Sequence, residues 1–226
     1  MWAVIRSLPV LACLVGAAQA QDIEPKAEIL VIGDSLLAWH RASGQAVSHR
    51  LEQLLEEPVI DRSVGGARMI YNLPISGAMG LSIAKQYRDK PWRWVVVNGG
   101  GNDLWLGCGC GKCDRKMGKL ISRDGTRGAI PKLVGRIRAT GAKVLWLGYL
   151  RSPGFGTPIE GCKDEGDELD ARLAVMAALD DGVVFHPISD LVPEGDLSFH
   201  GVDRIHPSLK ASQAIARRLA RVIRTY

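Results

Sequence analysis

The chain has 226 residues, enough for one domain with a full-sized hydrophobic core. Its formal net charge of +5 is dispersed, apart from Arg217, Arg218, Arg221 and Arg224, where cations complement the C-terminal end of a last helix. No nucleic-acid-binding pattern accompanies that charge, so nucleic acid is not an expected partner.

Residues 1–20 have the layout of a secretory leader. Arg6 precedes an apolar stretch from Leu8 to Ala18, and Ala18-Gln19-Ala20 precedes the expected cut before Gln21. The stretch is well short of the roughly 18 residues that a bilayer span needs. No other segment approaches that length, so residues 21–226 are expected to form a single domain without an integral membrane segment, secreted or periplasmic. A lipid anchor at Cys13 would leave almost no hydrophobic core after Arg6.

The first strand is expected at Ala27–Ile32, where Ile29-Leu30-Val31-Ile32 stops abruptly at Gly33-Asp34-Ser35. A helix over about 42–57 carries Val47, Leu51, Leu54 and Leu55 at spacings of three and four. Further strands are expected at 58–64, ending in Gly65-Gly66, and at 94–97, ending in Asn98-Gly99-Gly100-Gly101-Asn102-Asp103. Residues 106–125 are rich in Gly, Lys and Cys and read as a surface excursion. A helix over 129–140 leads to a strand at 143–147, in which Trp146 should pack. The stretch 151–166, with Pro153, Gly154, Gly156, Pro158 and Gly161, reads as a second large loop. A helix over 167–179, a strand at 183–185 and a C-terminal helix with Pro207 in its first turn complete the chain. Strands alternating with helices predict an α/β fold, with a mostly parallel five-stranded sheet covered on both faces.

Cysteine usage agrees with export. Cys108, Cys110, Cys113 and Cys162 suggest two disulfides with three possible pairings, and Cys162 would tie the two excursions together. Four thiolates also suit zinc, but these spacings are not those of paired knuckles, so no metal is expected.

The chemistry begins at Ser35, which stands where open α/β sheets put their ligands. A Ser hydroxyl needs a base, usually His, and the base needs an acceptor to fix its tautomer. Asp203-Arg204-Ile205-His206 supplies both groups, and a tight turn would let Asp203 reach the His206 Nδ1. Ser35 and Gly66 offer backbone N–H groups, and Asn102 a side-chain amide, for a developing oxyanion. As structural roles, Ser35 would cap a helix, Gly66 would form a turn and Asn102 an Asx-turn. His200 has no Asp three positions before it, and His186, His40 and His49 read as strand-end or helix-side residues. Asp34 and Asp103 read as turn organisers. Trp39 and Trp105 are candidates to line a substrate cleft.

Together these blocks resemble the SGNH branch of the GDSL lipase/esterase family. Gly33-Asp34-Ser35-Leu36, Ser63-Val64-Gly65-Gly66, Gly100-Gly101-Asn102-Asp103 and Asp203-Arg204-Ile205-His206 occur in the family's order. The resemblance spans about 29–207. It implies a three-layer, flavodoxin-like sandwich, with Ser35, Asp203 and His206 as triad and Ser35, Gly66 and Asn102 as oxyanion hole. It also implies no cofactor, and a small-molecule, lipid or acylated carbohydrate ester as substrate: short-chain esters, lysophospholipids or O-acetyl groups. Lack of an obvious lid favours short acyl chains or an open cleft. The contrasting reading is a secreted binding or structural protein that keeps the fold and uses the two excursions as partner surfaces.

Overall fold

A computed structural model of the chain describes residues 28–226. The expected leader and Cys13 lie outside the described residues. Strand β1 (Ile29–Ile32) is buried along its whole length because its alternating side chains enter two different cores. Leu30 and Ile32 join Val95 and Val97 of β3 (Trp94–Val97) and Val144 and Trp146 of β4 (Lys143–Leu147) on one face. Ile29 and Val31 join Trp94, Val96, Leu145 and Leu147 on the other. With β2 (Val59–Asp61) and β5 (Val183–His186), the order is β2-β1-β3-β4-β5 and every neighbouring pair is parallel.

The sheet is therefore covered on both faces, as its continuous apolar runs require. The helices are α1 (Ser35–Ala38), α2 (Val47–Leu55), α3 (Pro74–Ser76), α4 (Ile83–Gln86), α5 (Gly101–Cys108), α6 (Asp114–Leu120), α7 (Ala129–Arg138), α8 (Lys163–Ala177) and α9 (Leu209–Thr225). Val47 and Leu51 of α2 share a core with Ile215, Leu219 and Ile223 of α9. The opposite layer contains Leu104 of α5, Met117 and Leu120 of α6, Ile130 and Leu133 of α7, and Leu169 and Leu173 of α8. Fully burying each such Leu or Ile is worth roughly 2 kcal/mol relative to exposure. This is a three-layer α/β sandwich with the anticipated five strands.

Several local expectations are corrected. The strand foreseen at 58–64 ends at Asp61, although Arg62 and Val64 still donate to the Val31 and Gly33 carbonyls at 2.8 and 3.0 Å. The helix foreseen over 42–57 begins at Val47, after a 3-10 turn at Arg41–Ser43. Within the expected excursion at 106–125, α6 forms because Met117 and Leu120 reach the core. Helix α8 starts at Lys163 rather than near 167, with Asp164 and Glu165 in its first turn, where acids favour the positive end of the helix dipole. Pro207 precedes α9 instead of opening it. Ser208 is the cap, its hydroxyl accepting from the Ala211 N–H at 3.2 Å.

The cysteines form Cys108–Cys113 and Cys110–Cys162, which commits all four sulfurs to disulfides. The second bridge joins the two excursions. Among the described residues no helix is long and apolar enough to cross a membrane.

Candidate active site

Strand β1 delivers Gly33 into a confined turn. A Cβ there would stand 2.8 Å from the Asn98 carbonyl oxygen and 3.0 Å from Leu37 Cδ1, so only glycine fits without displacement. The buried Gln86 side chain closes on the same residue. Its Oε1 accepts from Gly33 N at 2.7 Å, while its Nε2 donates to the Gly33 and Gly80 carbonyls, each at 2.8 Å. Asp34 then caps α1, accepting from Leu36 N at 3.0 Å, and places Ser35 at the first helical position.

Asp34 is itself out of solvent. Burial pushes its carboxyl up to about 6, opposed by the Tyr149 hydroxyl, which donates to Oδ2 at 2.5 Å, and by the Leu36 N–H. The same burial, with Asp34 alongside, pushes the Tyr149 phenol well above its ordinary value.

Asp203 and His206 belong to a hairpin-like loop between β5 and α9. Gly201 N donates to the His206 carbonyl at 2.7 Å, and Arg204 takes a left-handed conformation with φ of 57° at the turn. That fold brings Asp203 Oδ2 to 2.5 Å from His206 Nδ1, while Oδ1 accepts from His206 N at 3.0 Å and Ile205 N at 3.1 Å. Partial burial pushes the Asp203 carboxyl up, but the bonds from His206 and Ile205 outweigh it and hold the group below the usual range. The ring of Trp39 lies flat on His206, with centroids 3.7 Å apart and planes 7° from parallel. His40 Nε2 bonds the Pro207 carbonyl at 3.0 Å, fixing the backbone behind the imidazole.

Asn102 stands in the first turn of α5 and reaches across to the loop after β2. Its Nδ2 donates to the Ala67 carbonyl at 3.0 Å. The neighbouring Asp103 accepts from Met69 N at 2.8 Å and Ile70 N at 2.9 Å, so consecutive side chains grip that loop. Burial nevertheless pushes the Asp103 carboxyl up, against the bonds from Ile70 and Met69. Farther back, Arg41 Nη2 donates to Asp61 Oδ1 at 2.7 Å and to the Ser63 carbonyl at 2.6 Å, anchoring the Ser63–Gly66 segment.

Ser35, Asn102 and His206 line one cavity, together with Trp105 and Tyr149. Among the described residues no hydrogen bond joins Ser35 to His206; such contacts often tighten only once substrate is bound. Gly66 does not line the cavity. Its neighbour Gly65 lies beside it, where an added Cβ would be 4.0 Å from Ser35 Cβ. Trp39, expected in the cleft wall, instead covers the face of His206. His186, His200 and His49 stand outside this cavity, and both His200 ring nitrogens are buried without a partner among the described residues.

The sequence model of the GDSL-like lipase/acylhydrolase family matches residues 31–214, from β1 into α9. The chain belongs to that family. Its fold is shared with solved structures of the SGNH hydrolase superfamily. One, from Slackia heliotrinireducens and assigned as an SGNH hydrolase, is 20% identical, with a TM-score of 0.61 over 87% of this chain and 98% of that one. TesA is 20% identical, with a TM-score of 0.58 over 84% and 94%. Est24, a carbohydrate acetylesterase from Sinorhizobium meliloti, is 17% identical, with a TM-score of 0.59 over 88% and 99%. No curated protein sequence matches the chain. Family membership carries the general serine-hydrolase and esterase activity typical of GDSL/SGNH proteins.

Sequence reasoning missed Gln86, Tyr149, His40 and the stacking role of Trp39. Gln86 and Tyr149 lie 53 and 115 residues from their partners in the GDSL turn, so no local spacing announces them.

Proposed function

We propose that this GDSL-family protein hydrolyses carboxylic esters through an acyl-enzyme formed on Ser35. The observation that carries the reading is the 2.5 Å contact between Asp203 and His206 Nδ1, in a loop whose His206 shares a cavity with Ser35 and Asn102. Asp203, held anionic by its hydrogen bonds, fixes the imidazole tautomer that leaves Nε2 as the base and steadies the imidazolium once it forms. His206 takes the Ser35 proton as Oγ attacks the acyl carbonyl, then gives it to the leaving alkoxide. Water, deprotonated by the same nitrogen, releases the acid and restores the serine.

The oxyanion is assigned to the Ser35 and Gly66 backbone N–H groups and the Asn102 amide. Asn102 lines the cavity and spends one amide hydrogen on the Ala67 carbonyl, leaving the other for the oxyanion. Two disulfides suit an oxidising compartment, which supports reading residues 1–20 as a secretory leader.

The test is turnover of p-nitrophenyl esters by purified protein beside Ser35→Ala. Loss of at least a thousandfold in kcat/KM, with unchanged circular dichroism, is the expected result. Equal rates in both proteins would sink the assignment.

A further inference from the structure

The cavity continues well past the reacting groups. Its volume is about 330 Å³. Beyond Asn102 its wall is formed by Leu104, Trp105, Ile159, Leu169 and the Cys110–Cys162 disulfide, while Leu36 and Leu150 line it from the core shared with α9. The bridge does this because it ties the turn after α5 to the loop before α8. Family membership alone does not supply this wall. Cys110, Ile159 and Cys162 of it come from this chain's two excursions.

The charged groups beside the chamber offer little to an anion. Arg151 is bound to Asp170 at 2.6 Å and Asp167 at 3.0 Å, and Lys163 to Asp167 at 2.5 Å. Glu160 and Glu165 add negative charge to the same lining. A phosphate or carboxylate would have to displace existing ion pairs, whereas an alkyl chain needs only the apolar wall.

The layers also decide which half of an ester enters. His206 stands in the loop that leads into α9, whose apolar residues cover one face of the sheet, whereas Leu104 and Leu169 of the lining belong to the core on the opposite face. The leaving oxygen must approach His206 for its proton, so the acyl substituent extends the other way, past Asn102. A methylene fills about as much space as a water molecule, roughly 30 Å³, so the whole cavity, including its end at Ser35 and His206, holds on the order of ten carbons.

We propose that this disulfide-walled chamber receives an unbranched aliphatic acyl chain of roughly six to ten carbons. The proposal rests on Ser35 as nucleophile and replaces the short-acyl preference suggested by the missing lid with a medium-chain one.

Acyl length is varied from acetyl to dodecanoyl on a constant p-nitrophenol leaving group, with kcat/KM as the readout. Each buried methylene should raise it about three- to fourfold. Acetyl to hexanoyl should then gain about 100-fold, with no further gain beyond decanoyl. A profile that is flat or falls after acetyl overturns the chamber and leaves Ser35 standing. Absence of any Ser35-dependent turnover overturns the nucleophile assignment instead.

Filling the chamber with Ile159→Trp should cut the octanoyl-to-acetyl ratio at least tenfold, and Trp105→Ala should move the optimum to longer chains. Unchanged ratios in both folded variants overturn the proposal; if either variant misfolds, the native length series decides alone. A matched series of n-alkyl acetates should show no comparable gain. A gain there would place the chain on the alcohol side and overturn the acyl assignment.

Discussion

Asp34 carries the main electrostatic tension beside the nucleophile position. Burial raises its folded-state carboxyl to about 6 from an ordinary 3.8, so between those values the folded chain holds more protons than the unfolded one. Asp34 therefore makes stability fall as pH rises toward 6, and the Tyr149 hydroxyl offsets part of that loss by favouring the anion. Tyr149→Phe keeps the ring and removes the bond. It should cost about 1.5–3 kcal/mol above pH 6, where Asp34 is ionised, and clearly less at pH 5, where it is protonated. Urea unfolding at pH 5 and pH 8 reads the difference, and an equal loss at both would show that Tyr149 acts through packing. The sequence disclosed Asp203 and His206 because one short turn contains them. It did not disclose Tyr149, nor that Trp39, read as a cleft residue, stacks on His206, because those meetings depend on how β4 and α1 are placed.

At the scale of elements, the β1–α1 turn is held chiefly by a side chain from α4. Gln86 satisfies both backbone groups of Gly33 in a place closed to water. Gln86→Ala leaves the buried Gly33 N–H without an acceptor and should cost about 2–3 kcal/mol, with a fall in kcat as Ser35 loses its fixed entry angle. Denaturant unfolding and steady-state kinetics on one preparation check both halves; a stability loss with unchanged kcat would confine Gln86 to a structural role. The strands were legible as apolar runs ending in Gly or Asn, since a strand buried on both faces has little other vocabulary. Residues 68–92 and α6 were not. The apolar residues of 68–92 are interrupted by Pro74, Gly77 and Gly80, those of α6 are sparse among Lys and Arg, and the short helices exist because Ile83, Met117 and Leu120 find a core supplied by distant strands. The GDSL turn could thus be recognised from its own residues, while the clasp on it could not.

For the whole molecule, five parallel strands send their carboxyl ends to one edge, where Ser35, Asn102 and His206 line one cavity. Two of the longer connections at that edge, after β3 and β4, would be costly to order independently. The Cys110–Cys162 bridge spans 52 residues and restricts both, whereas Cys108–Cys113 spans only 5. If chain entropy dominates, the long-range bridge contributes about 4 kcal/mol and the local one about 2 kcal/mol. Two paired variants, Cys108→Ala with Cys113→Ala and Cys110→Ala with Cys162→Ala, each retain one bridge. Comparing each variant before and after reduction isolates that bridge from the packing lost at the substituted positions. Reduction should therefore destabilise the variant retaining Cys110–Cys162 by about 2 kcal/mol more than the other in urea unfolding. Equal losses, or the reverse order, would mean that native packing around the sulfurs, rather than restriction of the unfolded chain, sets their contribution. The same reduction should then lower the octanoyl-to-acetyl selectivity only where Cys110–Cys162 is the bridge broken, because that bridge is also a wall of the cavity.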